Sequence, residues 1–589
     1  KANSKMPQLH AEGDVTRNYS SYNWQTLRDD VFMLARDGSV TENKVNPSRS
    51  SCAIHVTSYN QNREVIYQQQ QTHSAEGLSG IAFSTNVPHT FSGKATKQCA
   101  DCHLSKDDNN NALITQLSMQ GTNYLNFIGR YAWVGAGSHG LWSIVSTERD
   151  EPQAVIGSYL HRLAYPDFFK EHVGKNKSML KRAHEHVGRD ISDPLLHPFM
   201  KSEIQSVQHR GEYLYAACGE AGFRIFDIAF IDHKGFSERM STAPVSPLGQ
   251  KFFIRSKYAT CVAAPSTIAP DPTRKHFPEN DEPRVAGIYG LIFFTDRYEG
   301  LVAVGAGTLL DGDPLNNFVK RAWTFNPDNI LAGASHVITV GNYVYVTCDK
   351  GLVVISCEDS TKPVITSVID NKWLKKPKAV AVQFRYAFVA DEEGVKVLDV
   401  TDLAKPKPIS QINIPDVHSI YLARTYAYLA AGKLGLVILD IQNPEKPKVD
   451  QVFNANGEIN DAHDVKLGIT YTSEFAYVAD GKNGMRILQL TTPDSPGSGG
   501  FSPKPTPELI ATFKLPLGGH ALCVSKGMDR DRAVDESGNQ LSVFGRIGAR
   551  PFNKEETQKL FMHNGKVWKV SNDPMWEGYS REPVAPAKK

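Results

Sequence analysis

This chain is short of several things, and each shortage excludes a class of protein. Eight cysteines among 589 residues are too few to staple a chain of this size. Cys52, Cys218, Cys261, Cys348, Cys357 and Cys523 are scattered, without the paired spacing of a disulfide framework. Cys218 and Cys348 fall at equivalent places in separate repeats, which predicts two buried thiols rather than one bridge. Net charge is also nearly missing. Sixty-five Lys and Arg oppose 63 Asp and Glu, for a formal +2, and phosphate binding demands a basic face, so nucleic acid is excluded as the expected partner. The four close lysines Lys372, Lys375, Lys376 and Lys378 read as a solvated face or as a docking patch for an acidic protein. No apolar run approaches the roughly 18 residues of a membrane-spanning helix. There is no phosphate-cradling glycine loop and no G-x-S-x-G elbow. With 41% apolar and 22% charged residues, the composition is that of a soluble globular chain.

Against that background one short stretch stands out. Cys99-Ala-Asp-Cys102-His103 reads C-x-x-C-H, the attachment signature of a c-type haem. Two thiols at this spacing reach one porphyrin edge and add across its vinyl groups. The adjacent imidazole turns back onto the iron as proximal ligand. A zinc knuckle would want a second Cys/His pair nearby, and a thioredoxin-like dithiol would want a βαβ setting; both remain alternatives, and neither context is visible. The sixth iron position decides between an electron carrier and an open, reactive site. His89 leads as its ligand, followed by His73 and His55, with Met119 as the methionine alternative. Because c-type haem is attached after export, the expected compartment is periplasmic or extracellular. The chain starting at Lys1 is expected to be a processed form.

Most of the remaining sequence repeats itself. Tyr343-Val-Tyr-Val-Thr-Cys-Asp-Lys-Gly351 recurs as Tyr386-Ala-Phe-Val-Ala-Asp-Glu-Glu-Gly394, as Tyr426-Ala-Tyr-Leu-Ala-Ala-Gly-Lys-Leu-Gly435 and as Phe475-Ala-Tyr-Val-Ala-Asp-Gly-Lys-Asn-Gly484. Each is followed by a Gly-Leu-x-Val type run and then by proline. The period is that of a β-propeller blade, roughly 40–50 residues. Within a unit, an alternating strand such as Val380-Ala-Val-Gln comes first, then the Tyr/Phe strand, then an Asp/Gly turn into the third strand. An outer strand such as Pro363-Val-Ile-Thr-Ser-Val closes the unit, where an edge tolerates proline. Diverged copies begin at Tyr131, Tyr213 and Leu291. A degraded eighth copy is expected from Ala521 to Gly545, its outer strand supplied by the N-terminal segment; seven blades with a C-terminal extension is the other count.

The expected fold is therefore all-β: a seven- or eight-bladed β-propeller with a loop-rich, haem-bearing N-terminal region and a short helical insertion. The expected boundaries are 1–120 for the haem region, 121–550 for the propeller with its helical insertion near 165–190, and 551–589 for a C-terminal extension. His184 and His186 lie within that insertion and diverge on a helix, so they make a poor metal pair. Two further insertions, from Ala269 to Arg284 and from Ser495 to Pro507, read as loops.

The Gly-Leu-Val-Val-Ile, Gly-Val-Lys-Val-Leu-Asp and Gly-Leu-Val-Ile-Leu-Asp runs, with their trailing prolines, resemble the LVIVD-repeat family over roughly residues 125–490. Together with Pro88-His89-Thr and Cys99–His103, the chain is similar to the cytochrome-fused members of that family. The resemblance implies a bacterial or archaeal extracytoplasmic propeller.

Aligned by repeat, His418, His463 and His520 stand just before the first strand of three successive units, with His336 one residue off. In a propeller that point opens onto the central channel, where three imidazoles can meet a metal ion or ligand. Asp461 and Asp464 are placed to orient them or to ligate directly. Haem c is thus the expected cofactor, with a second metal ion in the channel as a further candidate. Other cytochromes or redox proteins are the expected partners, with an oligomer or larger assembly possible. The reading that follows is an extracytoplasmic c-type cytochrome carrying electrons within a redox assembly. The alternatives are an oxidoreductase with its chemistry in the channel and the haem as relay, or a propeller scaffold with a structural haem.

Overall fold

The structure is a computed structural model. It describes residues 9–14, 17–24, 32–37, 44–49, 56–69, 131–148, 154–179, 188–190, 203–210, 213–227, 252–265, 286–309, 317–469, 473–496, 502–525, 546–547 and 550–569.

Seven four-stranded antiparallel sheets form the body of the molecule. We number them as blades in chain order. Blade 4 shows the plan: His336–Val340 innermost, then Tyr343–Cys348, Gly351–Ser356 and Val364–Asp370 at the rim. Blades 5, 6 and 7 repeat it from Ala379–Gln383, Ser419–Ala423 and Asp464–Ile469. Blades 2 and 3 start from Ser206–Arg210 and Ala259–Ala263. Blade 1 is composite. Tyr131–Gly135, Leu141–Val145 and Gly188–Asp190 supply its outer three strands, and Cys523–Ser525 from the far end of the propeller supplies its innermost one.

The blade count is seven, and the closure runs opposite to the expected sense. Ala521-Leu-Cys-Val does not begin an eighth unit; it completes the first. Residues 526–545, where the rest of that degraded copy falls, lie outside the described residues.

The sequence pattern explains this layering. The Tyr/Phe strand is buried along its whole length in blades 4, 5 and 7, because each sheet has a neighbour on both faces. Seven apolar clusters fill the gaps between successive blades. One joins Tyr477, Ile487 and Phe513 of blade 7 to Ala132, Val134 and Ile144 of blade 1, with Val524 among them. A ring built this way has no separate core per blade, so blades stand only by packing on neighbours. The outer strands are edges and look like edges. Val364, Val368, Val449 and Val452 are exposed there. In blades 3 to 7 a register shift interrupts the pairing of third and outer strands. Bulges of this kind twist an edge away from intermolecular pairing.

The described helices of the insertion span 159–164 and 166–174, and residues 180–187 of the expected 165–190 lie outside the described residues. Helices Tyr159–Ala164 and Pro166–Gly174 sit between the third and outer strands of blade 1. The Ser158 side chain caps the first, accepting from the His161 N–H, and Pro166 opens the second with a preset φ. His161 is fully buried against Glu148, its Nε2 3.1 Å from the carboxylate and its Nδ1 accepting from the Gly157 N–H.

Ahead of the propeller, three antiparallel hairpins are described: Leu9–Asp14 with Arg17–Trp24, Phe32–Asp37 with Lys44–Arg49, and Val56–Tyr59 with Val65–Gln69. The third docks on blade 5, where Glu64 receives the Arg385 guanidinium at 2.6 Å in a buried ion pair. The C-terminal extension also returns to the ring. Helix Lys554–Phe561 is capped by Asn553 and Glu556 in a reciprocal capping box, and it inserts Phe561 beside Ile66, Phe384 and Leu403. Among the described residues no helix is long and apolar enough to cross a membrane.

Candidate functional site

The innermost strand of each blade begins at one end of the ring, and short loops lead into it. In blade 7 the backbone N–H of His463 bonds to Ala479 and the chain then enters the strand at Asp464. In blade 6 His418 holds the same place against Ala430. In blade 1, however, Leu522 makes this bond, to Gly135. His520 is therefore level with Asp461, two residues earlier than repeat alignment implies.

The three histidines nevertheless come together. The ring centres of His418 and His463 are 5.0 Å apart, and those of His463 and His520 are 5.3 Å apart. Asp461 lies among them. Its Oδ1 is 3.1 Å from His463 Nε2, and its Oδ2 is 3.1 Å from His520 Nε2. His418 pairs separately, with Asp416 at 2.8 Å. The motif Asp-x-His thus occurs in two successive blades, as Asp416-Val-His418 and Asp461-Ala-His463. That recurrence is the sequence signal for the carboxylates.

The Asp461 carboxylate is held from behind. The N–H of Lys482 reaches its Oδ2 at 3.3 Å. Gly481 has a φ of +47°, and any Cβ there would overlap the carboxylate. The loop before it is fixed by Asp480, a fully buried side chain that accepts from the N–H groups of Asn460 and Asp461 and from Arg486 Nε. Asp391 and Asp296 do the same for the loops leading into blades 5 and 3. Read from sequence, these aspartates are simply turn residues, so this second role is invisible there.

Charge around the site is shared unevenly. Burial raises the Asp461 carboxyl, but the Lys482 N–H and the His463 and His520 rings outweigh it and bring the pKa below the usual value. Burial, then the Lys378 ammonium, lowers the His418 pKa, against the opposing pull of Asp416.

Asp464 is not part of this cluster. It turns inward, accepting from the Ser419 hydroxyl at 2.6 Å and from the Val524 N–H at 3.1 Å, with Lys466 at 3.4 Å. It thereby ties blades 6, 7 and 1 together. His336, half-buried, accepts at Nδ1 from the Val380 N–H at 3.4 Å and belongs to the channel wall rather than to the histidine cluster. Of the four lysines, Lys376 faces Glu392 and Lys378 faces Asp416.

Cys99, Cys102, His103, His89, His73, His55, Met119, His184 and His186 lie outside the described residues.

These features define an all-β propeller of seven blades with a histidine and aspartate cluster at the mouth of its channel. Its blades 4 to 7 are LVIVD repeats: the profile of that repeat matches residues 333–369, 376–413, 416–454 and 462–497. No curated protein sequence matches the chain. Among solved structures, the chain is similar to one in the crystal structure of a nidogen/laminin complex, at 11% identity and a TM-score of 0.29, covering 55% of this chain and 92% of that one. It is also similar to the β-propeller domain of Myceliophteria thermophila Cps50 (Swd1), at 10% identity and 0.32, covering 53% and 87%. A third is the set of RRP9 WD40 repeats, at 11% and 0.35, covering 54% and 82%.

Proposed function

We propose that this protein is a β-propeller interaction scaffold that carries a covalent c-type haem on the segment preceding its first blade. One observation carries the scaffold reading. The ring is closed by the pairing of Cys523–Ser525 with Tyr131–Gly135, so the seven blades hold one another in fixed places and present their connecting loops on a closed body. Propellers of this kind present loops and faces to partners without needing chemistry of their own.

The haem reading rests on Cys99, Cys102 and His103. The donor set suits the group: two thiols for its vinyl carbons and one imidazole for its iron. When bound, the haem supplies one-electron chemistry. His89, or failing it His73, would hold the opposite face. On this reading the partners are other cytochromes or redox proteins outside the cytoplasm, and the propeller sets the distance between the haem and them.

The test uses the full chain, produced with c-type haem maturation. Haem that survives denaturation and acid-acetone, and is lost in Cys99→Ser/Cys102→Ser, supports the haem. Haem that extracts freely, or none at all, overturns it. Partner capture by the haem-free variant at unchanged affinity supports the scaffold. Capture that disappears with the haem supports an electron carrier instead.

A further inference from the structure

We infer that Asp461, His463 and His520 form a binding site for one divalent transition-metal ion, of the zinc type, at the mouth of the channel. The inference does not depend on the haem.

Among the described residues these three are the one group of three or more His, Cys, Asp or Glu side chains with donor atoms close enough to share an ion, all within 4.8 Å of one another. The two Nε2 atoms point at opposite oxygens of one carboxylate, each 3.1 Å away. An ion set between them replaces one hydrogen bond and one ion-pair contact with three coordinate bonds. Metal–imidazole nitrogen and metal–carboxylate oxygen distances of about 2.0–2.2 Å need only a small inward turn of the side chains. Two imidazoles and one carboxylate select zinc and its neighbours over magnesium or calcium, which prefer oxygen.

The site is built rather than accidental. Each donor comes from the loop ahead of an innermost strand: Asp461 and His463 from blade 7, His520 from blade 1. The closing strand brings the last of them into place. The carboxylate is oriented beforehand by the Lys482 N–H, by the room Gly481 leaves, and by Asp480 under its backbone. Side-chain exposures of 30%, 24% and 43% for Asp461, His463 and His520 leave the ion open to solvent on one side. Three protein ligands and an exchangeable fourth position is the pattern of a site that takes a further ligand, water or an anionic group.

The neighbouring Asp416 and His418 form the internal control. They repeat the Asp-x-His pattern and pair at 2.8 Å, but the Lys378 ammonium stands 3.5 Å from the Asp416 carboxylate. A fixed cation there opposes a second one.

The experiment is zinc titration of the full chain, made without a polyhistidine tag and freed of metal by chelator. It is followed by calorimetry and elemental analysis. One saturable equivalent of zinc is expected, with a higher thermal midpoint in its presence. His463→Ala/His520→Ala should lose it, and Asp461→Asn should weaken it at least about tenfold. His418→Ala should keep the full equivalent. Absence of saturable binding to the wild type, or equal binding by the double variant, overturns the site. If the double variant fails to fold, Asp461→Asn against His418→Ala decides: equal affinities overturn the proposal. Iron is counted separately, so loss of haem with zinc retained bears on the haem alone.

Discussion

Cys523 on the last strand of the ring is paired with Gly135 on the second strand of blade 1, and the absence of a side chain at Gly135 makes that pairing possible. A Cβ at Gly135 would overlap both the Cys523 sulfur and the Ile204 side chain of blade 2. The closure point is thus a three-way contact between blade 1, its borrowed strand and the next blade. Gly135→Val should force them apart, at a cost of about 1–3 kcal/mol or more for an overpacked core. Urea unfolding should show the lower midpoint, and exposed strand edges should raise aggregation. Truncation after Pro516 removes the borrowed strand altogether and should yield no soluble monomer. A soluble, cooperative truncate would mean that the ring does not need its closing strand.

Asp480 and Arg486 are both buried, with Arg486 Nε 3.0 Å from the carboxylate. The same carboxylate accepts from the N–H groups of Asn460 and Asp461. Asp480→Ala leaves a buried guanidinium and two N–H groups without their acceptor. A loss of about 3–5 kcal/mol is expected, as for other broken buried pairs. Because this loop carries Asp461, zinc affinity at the channel mouth should fall as well. A variant with wild-type stability would show that the loop is held by other means.

Much of this architecture is legible in the residues. The Tyr-x-Tyr-Val and Gly-Leu-x-Val runs mark the second and third strands, since only strands buried on both faces read so uniformly apolar, and their spacing marks blades. Closure was not legible. Cys523–Ser525 is three residues long, and its partner lies at the opposite end of the propeller, beyond the reach of any local pattern. The same gap explains His520. Its level is set by the Leu522–Gly135 bond, so alignment by histidine alone misplaced it by two residues. Asp461 and Asp464 looked interchangeable beside His463. Asp461, on the loop ahead of the strand, faces the mouth, whereas Asp464, the first strand residue, faces Ser419 and Val524.

The thiols report on the closed ring. Cys218, Cys261, Cys348, Cys357 and Cys523 are free and buried, as the repeat positions of Cys218 and Cys348 suggested. Burial pushes Cys218 and Cys357 up to about 12, and Cys523 well above its ordinary value. Thiolate is the reactive form, so none of the five should be alkylated by iodoacetamide in the native protein near neutral pH. All should react in denaturant, as peptide mass mapping would show. In Gly135→Val, Cys523 should become reactive first. Native labelling of Cys523 in the wild type would mean that the closing strand opens readily.

His336 gives the fold a pH dependence whose sign follows from its surroundings. Burial, then the positive charge of Lys466, lowers its pKa from 6.5 to about 4, while the Asp464 carboxylate opposes the shift. Its Nδ1 accepts a hydrogen bond from the Val380 N–H, a role that only the unprotonated nitrogen fills. The folded protein therefore resists a proton that the unfolded chain accepts. Above about pH 6.5 both states leave the imidazole neutral and it contributes no slope. Between 6.5 and about 4 the unfolded state binds the extra proton, so stability falls as pH falls. Below about 4 both are protonated and the loss levels off. The loss attributable to this one residue is on the order of 1–3 kcal/mol. His336→Gln keeps an acceptor in reach of Val380 but does not titrate. Denaturant unfolding of wild type and variant at neutral pH and at about pH 4.5 separates the two. The gap between their stabilities should shift in favour of the variant at the lower pH. Parallel losses would mean that acid weakens this ring through other groups.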